Sequence, residues 1–300
     1  MQLLAYILVY PFLWLVSILP FRLLYAFSDV LYVLIYKVFG YRTQTVNYNL
    51  TLVFPEKSAE EIKTITKKFY HHLCDMMVEA IKSLTISEKE MLKRYQFSNI
   101  ELLQHLEQNN RSVALMCAHY GSWEWIFILQ HYIHHKGFAV YKRLANTHFD
   151  KLIKKIRAKY NSQLITTKET IPVLMRAKVK GDPFICGFVS DQSAKPFKAM
   201  HWGKFMGYTV PMHTGAEMLA KRLDLAVVFF KVKRLKRGYY ETTFETITET
   251  AKDFKNYEIT DAFFRLTEEQ ILEAPQYYLW THKRWKHKDK VPADFNKVKV

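Results

Sequence analysis

Residues 112–125 read SVALMCAHYGSWEW, and this stretch indicates the class of fold. It is apolar until it reaches His119, turns at Gly121, and meets Glu124 five positions after the histidine. A short apolar run that ends at a glycine turn is typical of a buried strand in a parallel sheet. Ser122 can cap a following helix, which would put Glu124 in its first turn. The pattern therefore predicts strand, turn and helix, with His119 in the turn.

The same alternation of apolar runs and helical patterns continues on both sides of this stretch. Buried strands are predicted at SVALMCA, FAVYK, QLITT, PFICGFVS and LAVVFF, with helices at 122–136, 146–160, 169–179 and 211–223. Such alternation indicates βαβ crossovers, so we expect an α/β fold with a largely parallel sheet flanked by helices. The run YYETTFETI alternates with period two and predicts an antiparallel or edge strand. We expect one globular domain over 41–290 and a basic tail over 291–300.

The start of the chain is apolar. Its first 21 residues, MQLLAYILVYPFLWLVSILPF, carry no charged side chain and match the roughly 20 residues that cross a bilayer core. A second apolar segment, rich in Tyr and Phe, follows among Arg22, Lys37 and Arg42. We expect 1–40 to be a membrane-anchoring helix or hairpin, with the rest of the chain cytoplasmic. The alternatives are a hairpin buried in the protein's own core and a signal peptide.

The charge balance limits the possible partners. Lys and Arg number 44 against 28 Asp and Glu, a net charge of +16 that attracts polyanions such as nucleic acid, anionic lipid or an acidic carrier protein. The sequence has no zinc-finger or RNP-like signature, and an apolar start favours lipid over nucleic acid. Cys74, Cys117 and Cys186 lie far apart, which argues against a disulfide scaffold and a zinc site with cysteine ligands.

The spacing of His119 and Glu124 is weak evidence by itself. With 12 His and 28 acidic residues in 300, about one His-x4-acid pair is expected by chance, and the chain contains one. The position of the pair is more informative, because ligands gather where loops leave the carboxyl ends of parallel strands. There a glutamate can fix the tautomer of a histidine that acts as a base. A capping glutamate beside a structural histidine remains the alternative at this point.

Four stretches resemble a known family. HYGSWEW resembles the H-x4-D/E box of the lysophospholipid acyltransferase superfamily, and specifically of its lipid A late-acyltransferase branch. VYKRLANTHFDKLI, the stretch from GFVSDQS to LAVVF, and PQYYLWTHKRWK resemble further segments of that branch, in its order, over about 40–286. The last segment is the most distinctive. FVSDQS stands where glycerolipid enzymes of the superfamily carry FPEGTRS, which favours the lipid A branch. The resemblance implies a glycerol-phosphate-acyltransferase-like fold, with 41–290 as the acyltransferase domain.

The resemblance also implies a reaction. A fatty acyl chain would pass from a thioester to a hydroxyl of a lipid A precursor, with His119 as general base and Glu124 as its orienting carboxylate. The hydroxyl attacks the thioester directly, so the reaction needs no acyl-enzyme. Cys117 stands two positions before the histidine in an apolar run, and we expect it to be a packed thiol.

Five further residues are predicted to bind substrate. Lys142, Arg143 and Arg284 are candidates for the phosphate of a glycolipid, whereas Asp191 and Gln192 follow another strand end and line the same cleft. A helix cap or a turn is the alternative for the last two. The family has an Arg-Pro pair where this chain has Lys142–Arg143. Lysine keeps the charge but loses the two-pronged contact that arginine makes with phosphate.

The expected partners follow from the same resemblance. They are acyl carrier protein or acyl-CoA as donor, a glycolipid acceptor and the anionic lipids of the bacterial inner membrane, with the catalytic domain facing the cytoplasm. No nucleic acid, cofactor or metal is expected. His131 and His135 have the spacing of a metal pair but lack an HExxH pattern, so surface histidines are favoured. Alternatives are acylation of another lipid, such as an aminolipid or glycosylated pigment, hydrolysis of the thioester, and a non-catalytic membrane-surface binding protein.

Overall fold

A seven-stranded sheet organises the computed structural model, which describes residues 1–293. The strands along the chain are β1 Tyr95–Phe97, β2 Val113–Cys117, β3 Lys136–Tyr141, β4 Ser162–Thr166, β5 Phe184–Val189, β6 His201–Phe205, β7 Tyr208–Met212, β8 Ala226–Lys236 and β9 Tyr239–Thr248. The order in the large sheet is β1-β9-β8-β2-β5-β3-β4, and β6 pairs with β7 in a separate hairpin. The α/β class and the five strands predicted from the sequence are confirmed, although β4 lies at the edge of the sheet and is only partly buried.

The sheet is parallel through its centre because its strands are buried on both faces. β2 pairs in parallel with β5 and β8, and β3 pairs in parallel with β4 and β5. All five β2 residues are buried: Ala114 and Met116 enter one core, and the alternate residues Val113, Leu115 and Cys117 enter the other. β9 is antiparallel to β8, as its alternation predicts. It is not an edge strand, because β1 pairs with its outer side.

Helices cover both faces of the sheet. The α-helices are α1 Gln2–Ile18, α2 Phe21–Tyr32, α3 Thr43–Val53, α4 Ala59–Lys82, α5 Glu88–Arg94, α6 Glu101–Gln108, α7 Thr147–Arg157, α8 Thr170–Lys180, α9 Gly215–Leu223 and α10 Glu258–Glu273. A π-helix at Val33–Val38 and short 3₁₀ helices, among them Trp123–His131 and Pro275–Tyr277, complete the chain. The long helix α4 begins with a capping box, in which the Ser58 hydroxyl accepts from Glu61 N–H and the Glu61 carboxylate accepts from Ser58 N–H.

The structure departs from the predicted elements at two places. The helix predicted from 122 is a 3₁₀ helix, Trp123–His131, and Ser122 makes no side-chain cap. Its Trp, Phe and Ile side chains lose rotamer freedom in an α-helix, which favours another conformation. The β6–β7 hairpin was not predicted. It turns at Met206 and Gly207, whose φ angles of 48° and 82° are the positive values that a two-residue hairpin turn requires.

The apolar start of the chain packs against α4. Lys82 Nζ donates to the carbonyls of Ser17 and Leu19, both at 2.7 Å, and the Ser28 hydroxyl donates to Asp75 at 2.7 Å. Within 1–293, no single helix is long and apolar enough to cross a bilayer. The segments Phe21–Val38 and Thr43–Val53, which are bent by 84° relative to each other, have the required length and apolar character only when they are taken together. The predicted anchoring helix is therefore not confirmed. Residues 294–300 of the predicted tail lie outside the described residues.

Candidate active site

Two strand ends bring His119 and Asp191 together. Cys117 at the end of β2 pairs with Val189 at the end of β5, and His119 and Asp191 each follow their strand by two positions. Ser190 N–H donates to the Cys117 carbonyl and extends this parallel alignment beyond the strands. The sheet topology therefore places a histidine and a carboxylate, 72 residues apart in sequence, at one edge.

Asp191 holds the His119 ring in one orientation. His119 Nδ1 and Asp191 Oδ1 are 2.6 Å apart, and the same oxygen accepts the backbone N–H of His119 at 3.2 Å. The histidine side chain is 19% exposed, whereas the aspartate side chain is 2% exposed. A proton on Nδ1 satisfies this contact and leaves the Nε2 lone pair directed away from the carboxylate. Nε2 is thus the atom that can accept a proton from a substrate.

The electrostatics of the pair strengthen this base. Burial disfavours the charged imidazolium, but the Asp191 carboxylate, its hydrogen bond and the Glu124 charge together raise the pKa of His119 above its ordinary value. Burial would raise the pKa of Asp191 as well, yet the imidazole and hydrogen bonds from His119 and Tyr278 lower it. Asp191 consequently stays ionised beside a histidine of increased basicity.

Two side chains border the free nitrogen. The Gln192 side-chain amide lies 3.3 Å from His119 Nε2, where it can donate to the lone pair. The Trp123 ring stands edge-on to the imidazole with centroids 5.1 Å apart. Because the Gln192 contact is long, a hydroxyl group that approaches Nε2 can replace it at small cost.

The C-terminal motif supports the histidine loop. Leu279 N–H donates to the His119 carbonyl, and Gly121 N–H donates to the Tyr277 carbonyl, both at 3.0 Å. The buried Tyr278 hydroxyl donates to Asp191. The PQYYLW stretch therefore holds both the loop that carries His119 and the carboxylate that orients it, which the sequence alone does not reveal.

Glu124 has a different partner from the one predicted. Arg157, at the end of α7, donates to Glu124 Oε2 through Nε at 3.0 Å and through Nη2 at 2.7 Å. The described residues include no hydrogen bond between Glu124 and His119, because the 3₁₀ turn directs the carboxylate toward α7. Glu124 acts on His119 through its charge alone. Arg157 was missed, since a basic residue near a helix C-terminus is common and carries no signal of its own.

A double-mutant cycle tests the partner of Glu124. We expect Glu124→Gln and Arg157→Gln to couple by about 1 kcal/mol in the free energy of unfolding, because each removes the same partly buried ion pair. Urea denaturation of both single variants and the double variant measures this coupling. Glu124→Gln and His119→Gln should couple less strongly, because these two side chains interact through charge without a hydrogen bond. A larger coupling in that second cycle would contradict the arrangement described here.

An apolar cavity, which we call the sheet-side cavity, lies beside these residues. It has a volume of about 100 Å³ between the sheet and the 3₁₀ helix Trp123–His131, and Glu124 and Arg157 also border it. The strands contribute small or apolar side chains to its wall: Leu115, Cys117, Gly137, Ala139 and Gly187. A mostly apolar lining of this kind is typical of sites that hold hydrocarbon ligands. An apolar ligand can therefore reach the neighbourhood of the histidine from inside the fold.

Comparison with known proteins identifies the family. Residues 1–287 match the family described as bacterial lipid A biosynthesis acyltransferase. The chain belongs to this family. Over 275 residues it is 23% identical to the lipid A biosynthesis lauroyltransferase of Escherichia coli (strain K12). The aligned region covers 91% of this chain and 89% of that protein. The protein is thus an acyltransferase, and the family resemblance found in the sequence is confirmed.

Arg284 does not suit its predicted role in this acyltransferase. Its side chain is fully buried, donates to the Pro211 carbonyl at 3.4 Å, and lies 5.1 Å from the ring centroids of Phe205 and Phe264. Burial lowers its pKa to about 10, although the charges of Tyr278 and Asp191 oppose this. A guanidinium in this position cannot reach a lipid phosphate, so the structure places it behind the site as a buried cation.

The other predicted residues divide into two groups. Lys142 and Arg143 directly follow β3 at the same sheet edge and are exposed, so their role with phosphate stays a prediction.

Cys117 is buried, and burial raises the pKa of its thiol well above the ordinary value, which keeps it protonated and unreactive. His135 is buried rather than at the surface. Within 1–293, no three His, Cys, Asp or Glu side chains form a group suited to a metal ion.

Proposed function

We propose that this acyltransferase moves a fatty acyl chain from acyl carrier protein to a hydroxyl of a lipid A precursor at the bacterial inner membrane. The observation that carries the proposal is the His119–Asp191 pair, 2.6 Å apart at the strand ends and adjacent to an apolar cavity. The site provides an oriented base for a hydroxyl together with space for a hydrocarbon chain.

The reaction begins with the acceptor hydroxyl at His119 Nε2. The hydroxyl oxygen attacks the thioester carbonyl while its proton passes to Nε2, and the imidazolium that forms is stabilised by Asp191. The tetrahedral intermediate then releases the thiolate of the donor, which takes the proton back from Nε2. The Gln192 amide, displaced from Nε2, is positioned to donate to the oxyanion. Glu124 and Arg157 form an ion pair with no net charge beside the reacting atoms.

Charged and apolar surfaces suit the proposed substrates. Lys142 and Arg143 can contact the phosphate of a glycolipid from the loop after β3. The net charge of +16 favours the approach of an acidic carrier protein and of anionic lipids. Helix α1 exposes a set of large apolar side chains, namely Leu4, Ile7, Leu8, Phe12, Trp14 and Leu15. An exposed apolar surface of this extent is typical of contact with a membrane, with the catalytic domain on the cytoplasmic side.

A direct assay tests the proposal. Purified protein is incubated with a tetra-acylated lipid A precursor and a panel of acyl carrier protein and acyl-CoA thioesters, and the product is weighed by mass spectrometry. We expect a mass gain of one acyl chain, with faster transfer from the carrier protein. Folded protein that adds no chain to any lipid A precursor would overturn the acceptor assignment. A gain on another hydroxyl-bearing lipid would redirect it.

Filling the sheet-side cavity should shorten the preferred donor chain. A Cβ added to Gly187 meets nothing closer than the Phe138 carbonyl at 3.9 Å, so the backbone there accepts a side chain, and Gly187 lines the cavity. In Gly187→Leu we expect kcat/KM for the longest accepted chain to fall about tenfold, since two displaced methylenes correspond to that factor. Competition between acyl donors of different length measures the shift. Val179→Leu, at an 83% exposed position, is the control, and an unchanged preference in Gly187→Leu would contradict this role.

A further inference from the structure

Helix α4 carries an apolar stripe on the side that meets the loop after His119. Leu73, Met76, Met77 and Ala80 occupy positions i, i+3, i+4 and i+7, which share one side of a helix. They form one wall of a groove with a volume of about 190 Å³, which we call the α4 groove. Met77 is 44% exposed within it. This is more open apolar surface than a core-facing stripe leaves.

The opposite wall of the α4 groove is the active-site loop itself. Gly121 and Ser122 follow His119 by two and three positions, and Leu279, whose N–H donates to the His119 carbonyl, completes this wall. Trp123 and Glu124 border both the α4 groove and the sheet-side cavity. Two apolar spaces therefore meet at Trp123 and Glu124, close to His119 in the chain.

The α4 groove also lies beside the apolar start of the chain. On α4, Val78 and Ile81 belong to the neighbouring face and pack with Val16 and Leu19 at the end of α1. Leu15 and Ile18 in the same turn of α1 are exposed. A lipid tail held by α1 would thus have a short apolar path into the α4 groove. Methionine side chains, which line it, adapt to flexible hydrocarbon.

We propose that the α4 groove binds a hydrocarbon chain of the lipid acceptor, while the sheet-side cavity holds the chain of the donor. The assignment rests on the proposed function, because direct transfer requires both substrates at His119 at once. The carrier protein delivers its chain from water, whereas the acceptor keeps its tails near the bilayer and suits the groove beside α1 with its exposed Met77. In the step itself, the acceptor oxygen bonds to the acyl carbon, the C–S bond breaks, and the hydroxyl proton leaves on the donor thiol.

Blocking the α4 groove tests this assignment by kinetics. In Ala80→Trp we expect KM for the lipid acceptor to rise about tenfold, because the ring displaces about two methylene groups of the bound chain. KM for the donor and the preference for donor chain length should stay unchanged. Met77→Gln, which keeps the size of the side chain but makes it polar, should act in the same direction. Lys67→Trp places the same ring at an exposed position of α4 outside the groove and should have no effect. Gly187→Leu should show the reverse pattern.

A labelling experiment separates this inference from the proposed function. Dodecanol with a terminal diazirine is photolysed with the full protein, and the labelled peptide is identified by mass spectrometry. We expect label on the α4 peptide that contains Met76 and Met77, reduced at least fivefold in Ala80→Trp but not in Lys67→Trp. Absence of label on α4 would overturn the inference even if lipid A transfer is observed. A changed donor preference in Ala80→Trp would also overturn it. The same holds if Ala80→Trp loses binding to anionic vesicles while its KM for the acceptor is unchanged.

Discussion

Replacing His119 with alanine is expected to lower kcat for acyl transfer by about 10²–10⁴-fold, the contribution of a positioned general base. The reason is the geometry at Nε2, since Asp191 occupies Nδ1 at 2.6 Å and leaves one nitrogen to take the hydroxyl proton. KM for the donor should change little, because the sheet-side cavity is formed by other residues. Initial rates at saturating donor and acceptor, read by mass spectrometry, measure the effect.

The His119 experiment needs a test of folding, because the substitution leaves Asp191 without its ring partner. Loss of one buried hydrogen bond costs about 1–3 kcal/mol of stability, so circular dichroism at the assay temperature should still show folded protein. His134→Ala is the matched control, because the His134 side chain is 96% exposed. A folded His119→Ala variant that retains more than a tenth of the activity would exclude this histidine as the base.

The position of His119 could be predicted, whereas its partner could not. An apolar run, a glycine turn and a helical pattern are local features, and they correctly place the histidine at the end of β2. The choice of carboxylate depends on strand order. Asp191 reaches the ring because β2 lies next to β5, and a sequence pattern does not specify which parallel strands are neighbours. Glu124 is closer along the chain, but the backbone after Ser122 directs it to Arg157.

The buried strands could be predicted from the sequence for a related reason. A strand buried on both faces is apolar throughout, so its composition alone marks it. The β6–β7 hairpin mixes polar and apolar residues, and its turn depends on a positive φ at Met206, which no propensity predicts for methionine. Arg284 illustrates the same limit at a side chain. Its motif suggests function, but its burial between Phe205 and Phe264 is set by the tertiary fold.

Replacing Asp191 with asparagine is expected to lower kcat by about 10²–10⁴-fold as well, because an amide can hold the imidazole in the wrong tautomer and cannot stabilise the imidazolium. The variant should also move the acid limb of the pH–rate profile. The carboxylate raises the pKa of His119, so its removal lowers that pKa. The residual activity should therefore appear at lower pH than in the unsubstituted enzyme, which a profile of kcat between pH 5 and 9 measures.

Stability gives an independent check on the sign of this shift. The pKa of His119 is raised in the folded state, so its contribution is present below the ordinary histidine pKa and is lost as pH rises through the folded value. The pKa of Asp191 is lowered, so its contribution is present above the ordinary aspartate pKa and is lost as pH falls through the folded value. Asp191→Asn should thus destabilise the protein most between about pH 4 and 6.5, where both contributions are present.

The combination of the two measurements distinguishes an orienting carboxylate from a merely structural one. A structural Asp191 would lower the free energy of unfolding and the amount of active enzyme, but it would leave the acid limb of the remaining activity in place. An orienting Asp191 shifts that limb downward even in protein that is fully folded. Glu124→Gln provides the comparison, since its charge also raises the pKa of His119, although no hydrogen bond joins the two in the described structure. We expect a smaller downward shift there, with most of kcat retained. If Glu124→Gln instead lowered kcat and shifted the acid limb as much as Asp191→Asn does, then Glu124 would be the partner of the base.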